Sequence, residues 1–144
     1  MSGDLKTVIR VRRWEIDEKR RDLGVLLAEE ATFIQRRTAL DEEVRAENDC
    51  ARQYVREADF TLGTYAARAH SRRLQLDAAI AETQQRVEAV RDELAQMFKD
   101  LKTFELAQEA REEAERKERD RKEQIVMDEI GLELFRRKEG QGGS

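Results

Sequence analysis

Apolar residues recur along this chain at alternating steps of three and four, and the rhythm changes once. In the first half one seam runs Ile9, Arg12, Ile16, Lys19, Leu23, Leu26, Glu30, Phe33, Arg37, Leu40, Val44, Glu47, Ala51, Tyr54 and Ala58. Ten of these fifteen positions are apolar or aromatic, which predicts a helix with one sticky seam broken by polar steps. In the second half the seam runs Leu76, Ile80, Thr83, Val87, Val90, Leu94, Met97, Leu101 and Phe104, and only Thr83 is polar. Extending the first frame past Ala58 puts Thr61, Tyr65, Arg68, Arg72 and Gln75 on the seam, so the two frames are out of phase.

The break falls at "DFTLGTYAAR", where Gly63 suits the left-handed end of a helix and Thr64 suits the cap of the next. The expectation is therefore an all-α fold, a long antiparallel coiled-coil hairpin. Helix one covers about 4–60, the turn about 60–64 and helix two about 64–138, with a flexible tail over 139–144. One domain of 144 residues is expected. The competing arrangement is one unbroken helix in a parallel homodimer. With the turn near residue 62, residue i faces 124 − i: Leu40 meets the Gln84 region, Leu23 meets Leu101, and residues 5–15 meet 109–119. Helices of about 55 and 75 residues reach about 80 and 110 Å at 1.5 Å per residue, so helix two overhangs by roughly 15–20 residues.

That overhang holds a contrast. "EAREEAERKERDRKE" (109–123) has no side chain more apolar than alanine, whereas "EQIVMDEIGLELFRRK" (123–138) holds Ile125, Val126, Met127, Ile130, Leu132, Leu134 and Phe135. The charged stretch supports itself through pairs four residues apart: Glu112 with Arg116, Glu113 with Lys117, Glu115 with Arg119 and Glu118 with Lys122. It reads as a solvated helix carrying the apolar end outward. Met127, Ile130 and Leu134 share a face. A second apolar group, Leu5, Val8, Ile9, Val11 and Trp14, begins helix one, and in this register it meets only Ala110 and Ala114, so the open end is under-buried on both helices. A third group, Phe60, Leu62 and Tyr65, plugs the closed tip. For the open end, fraying or self-association is the plain alternative to docking.

Composition narrows the function. Charged residues make up 42% of the chain, proline is absent, and the net charge of −4 is spread finely. Such a chain suits long helices rather than a broad core. The spacing of its apolar residues argues against the disorder that so much charge also permits. No basic stripe marks a nucleic-acid binder, no stretch nears the ~20 apolar residues of a membrane span, and the N-terminus lacks a signal core. A cytoplasmic protein with no nucleic acid and no direct membrane insertion is expected. The single Cys50 and single His70 fall near the turn on opposite helices, where each reads as a structural bystander. A metal would want more ligands, and a catalytic pair would want a pocket. No glycine loop cradles a phosphate. No catalytic, cofactor or metal residue is expected.

Three stretches, "VRRWEIDEKRRDL" (11–23), "FKDLKTFELAQEAREE" (98–113) and "EQIVMDEIGLELFRRK", together resemble the FliJ family of flagellar export proteins. The likeness extends over nearly the whole chain, in length, charged hairpin and the terminal Asp128–Glu129 followed by an apolar–basic run. What the resemblance implies is a non-enzymatic stalk, similar to the central shaft of rotary ATP synthases. It implies insertion into the hexameric flagellar export ATPase, contact with the export gate protein FlhA, an escort role for export chaperones, and a location at the cytoplasmic face of the export apparatus. The ATPase contact implied on this chain is Val8, Ile9, Ile125, Met127, Ile130 and Leu134, and the gate contact includes Leu76. Arg72, one turn earlier, stands where the family's best-known example is aromatic. Two further readings compete: the equivalent stalk of a virulence secretion system, and a structural coiled coil that self-assembles through its open end.

Overall fold

The computed structural model describes residues 4–53 and 59–142, with side-chain environments over 5–53 and 63–142. Two helices, α1 (Asp4–Gln53) and α2 (Asp59–Gly142), make up all of this, and no strand occurs among the described residues. The chain divides into two compact units, Arg13–Phe98, and Met1–Arg12 with Lys99–Ser144. A pair of helices buries each seam residue only against its local partners, so no single core gathers the chain.

In the unit Arg13–Phe98, α1 and α2 run antiparallel. Glu30 accepts a hydrogen bond from Gln84, Arg37 pairs with Asp77, and Asp41 pairs with Arg73 at 3.6 Å. Residue i therefore faces 114 − i (30 with 84, 37 with 77, 41 with 73), not the 124 − i expected. Leu40 packs with Ala69 and Leu76, flanked by Phe33, Val44 and Tyr65, and not beside Gln84. The physical reason is that a heptad seam specifies a face but not a rung. Sliding one helix by ten residues, about one and a half heptads, still leaves seam facing seam, and the cross-helix polar pairs choose the rung.

Residues 60–64 lie inside α2, and Gly63 has no positive φ, so neither Gly63 nor Thr64 ends or caps a helix. A helical glycine costs only about 1 kcal/mol against alanine, too little to stop a helix by itself. Residues 54–58 lie outside the described residues, as do the side chains of Phe60 and Leu62 of the expected tip plug. The tail also differs, since α2 continues through Gly142 and takes Glu139–Gly142 into the helix expected to stop at Lys138.

The seams themselves hold. Ile16, Leu40, Leu76, Val87 and Leu94 are buried in this unit, and Leu23, Leu26, Phe33, Ile80, Val90 and Met97 are half-buried. Thr83 is buried too, with its hydroxyl donating to the Ala79 carbonyl at 2.8 Å, so its polar group is satisfied within the helix. Lys19 pairs with Glu93, and that hydrogen bond raises the ammonium pKa. Polar seam positions thus serve as cross-helix pairs at the boundary with water.

Candidate functional site: an unpartnered helix end

In the unit Met1–Arg12 with Lys99–Ser144, α1 contributes a short segment. Lys6 lies 3.7 Å from Glu112, and the Arg12 guanidinium sits 5.7 Å from the centre of the Phe104 ring. The start of α1 therefore faces residues between Phe104 and Glu112, which overlap the expected run 109–119 only over its first four residues. That shift supplies the apolar partners that seemed missing. Ile9 is 8% exposed, Leu101 and Gln108 are buried, and Val8, Leu5 and Phe104 are half-buried. The N-terminal half of the expected open-end surface is a packed seam; Val11 alone of that group in this unit remains exposed. Gln108 donates to Glu112 at 3.0 Å, while its carbonyl oxygen is buried and meets no donor among the described residues.

From Ala114 to Gly142 every residue of α2 is exposed. What holds this stretch helical is local. Arg116 pairs with Glu113, Arg121 grips Glu118 through two hydrogen bonds of 2.9 and 3.2 Å, Gln124 donates to Asp128 at 3.0 Å, and Arg137 donates to Glu133 at 3.0 Å. The two pairs in the charged stretch are three residues apart, where four was expected, and the two beyond it are four apart; all act alike. The Arg116 and Arg121 hydrogen bonds pull the Glu113 and Glu118 carboxyls below the usual range.

On this self-supporting helix the expected docking residues stand clear of the chain. Ile125, Met127, Ile130 and Leu134 are 45 to 64% exposed. Met127, Ile130 and Leu134, with Val126, occupy one face, as expected. Ile125, Leu132 and Phe135, also exposed, form a second apolar stripe on the opposite face at 3.6 residues per turn. The signal for it was available in the spacing 125, 132, 135, but a single-stripe reading passes over it. A helix apolar on both sides is built to be covered on both sides.

Leu76, the residue implied for the gate contact, belongs to the other unit. It is 9% exposed and packed in the Leu40–Ala69 cluster, so it supports the surface of α2 and offers little of its own. Arg72 on the turn before it is exposed, as are Cys50 and His70. Among the described residues no three His, Cys, Asp or Glu side chains are placed to hold a metal. No helix among them is long and apolar enough to cross a membrane.

Two long helices that pack antiparallel, the second with apolar residues exposed on two faces, define a class: an all-α protein built on a helical hairpin. The family model for the flagellar FliJ protein matches residues 1–140, and the chain belongs to that family. It is with that family a component of the flagellar export apparatus. Searches of curated proteins and of solved structures find no significant match to this chain.

Proposed function

We propose that this chain is the stalk of the flagellar protein-export machine, a non-enzymatic part that seats its C-terminal helix in the hexameric export ATPase and so promotes ring assembly. The observation that carries the reading is the exposure of apolar residues on both faces of Ile125–Phe135. A flat groove would cover one stripe; the lumen of a ring covers both. Ile125, Met127, Ile130 and Leu134 make the contact, and Leu132 and Phe135 make its far side. Val8 and Ile9, packed in the seam, hold the base of the helix instead of touching the ATPase. The gate contact with FlhA, and any escort of export chaperones, falls to exposed side chains of the other unit, with Leu76 beneath them. Membership of the FliJ family supports this assignment over a self-assembling structural coiled coil. A virulence-system stalk would use the same geometry, and gene neighbours distinguish the two.

The test is binding of the full chain to its cognate export ATPase. Ile130→Asp with Leu134→Asp should leave helix content by circular dichroism nearly unchanged and sharply weaken both binding and ring assembly. Wild-type binding by a folded double variant would defeat the proposal.

A further inference from the structure

The seam residues give each helix of the unit Arg13–Phe98 a heptad frame, with a and d at the seam and e and g flanking it. In an antiparallel pair the e positions of both helices share one edge and the g positions share the other. Arg20 and Phe98, both at e, meet across the helices with the guanidinium 5.1 Å from the ring centre. The two edges differ in chemistry. The g edge carries Glu15, Asp22, Glu29 and Glu43 on α1 and Glu93 on α2 against Arg36, Arg72 and Arg86, so it is net negative and has no large apolar residue. The e edge carries Leu27, Ile34 and Phe98, which are 38 to 44% exposed, among Arg13, Arg20 and Arg91.

Two-stranded coiled coils keep e and g charged. Apolar residues at a, d and e together widen the stripe to that of a helix with two neighbours. Each helix here has one. The spread from Arg20 to Ile34 is about 21 Å, or four turns of helix. Beyond Ile34 the edge is closed by the ion pairs of Arg37 with Asp77 and Asp41, and of Arg73 with Asp41.

We propose that this e edge seats a third helix, supplied by a partner protein, whose apolar stripe is flanked by Asp and Glu. Leu27, Ile34 and Phe98 take the stripe, and Arg20 and Arg91 meet the acidic flanks. The g edge, net negative and without a large apolar residue, disfavours the same helix, so the partner has one side on which to pack. This site is separate from the C-terminal strip and does not depend on it.

The probe is a fluorescent peptide of about 20 residues with a leucine stripe flanked by Glu, compared with one flanked by Lys. Anisotropy is followed with the full chain. The Glu peptide should bind, and the Lys peptide should bind roughly tenfold more weakly or worse, as expected when rim charges change from complementary to like. Leu27→Glu with Ile34→Glu should abolish binding of the Glu peptide. Leu27→Gln with Ile34→Gln, which adds no charge, should weaken it severalfold and guards against misfolding. Ile130→Asp with Leu134→Asp should bind as wild type does, even if that variant has lost the ATPase. Equal binding of both peptides, no binding of the Glu peptide, or loss of binding in the strip variant would overturn the proposal. So would sedimentation showing that the Leu27–Ile34 edge pairs two copies of the chain.

Discussion

At the scale of single residues, the same side chain type does opposite work in different places. Leu94 is buried mid-seam, and Leu132 is more than half exposed on a helix with nothing facing it. Leu94→Ala should therefore cost about 2–4 kcal/mol, at the lower end of buried leucine truncations because a two-helix seam closes only partly around each side chain. Leu132→Ala should stay within about 0.5 kcal/mol, as exposed substitutions do. Thermal or urea unfolding of the two variants measures this, and equal losses would mean that the strip packs within its own chain. The spacing in the sequence revealed this distinction for every described seam position of α2, because a period of three and four identifies the buried face. It misjudged Ile9. Whether that residue is buried depends on what stands opposite, and no property of Ile9 itself records that.

At the scale of the helix element, the stretch 109–123 stands on electrostatics alone. Glu113 and Glu118 have carboxyl pKa values lowered by hydrogen bonds from Arg116 and Arg121. For a carboxylate with a depressed folded value, the stabilisation is present above its unfolded pKa and is lost as pH falls through the folded value. Residue-resolved carboxyl titration by NMR should show both groups below the ordinary glutamate value of about 4.3, moving back toward it at roughly 1 M salt as screening removes the attraction. Ordinary values at low salt would mean that the pairs are not held in solution. The alternation of acid and base made the pairing visible in the sequence. The spacing of three rather than four was not, since arginine is long enough to reach either neighbour. Helix ends were also hidden: Gly63 and Gly140 look like stops, yet without a left-handed φ or a proline nothing forces one.

At the scale of the whole molecule, the hairpin class was legible from two out-of-phase seams, and the family followed from the order of three stretches. The rung on which the helices pair was not legible. A slide of ten residues changes which residues face each other while leaving the apolar pattern satisfied, and the hydrogen bond at Glu30 with the ion pairs at Arg37 and Asp41 breaks the tie. The start of α1 accordingly meets residues 104–112, Phe104 among them, while residues 125–135 of α2 stay exposed. Hydrogen–deuterium exchange of the full chain, with and without the cognate export ATPase, tests this most directly. In the free protein residues 114–142 should exchange faster than the seam of the unit Arg13–Phe98, and on adding the ATPase the protection gained should concentrate at 125–135. Unchanged exchange at 125–135 with new protection confined to the unit Arg13–Phe98 would contradict the account.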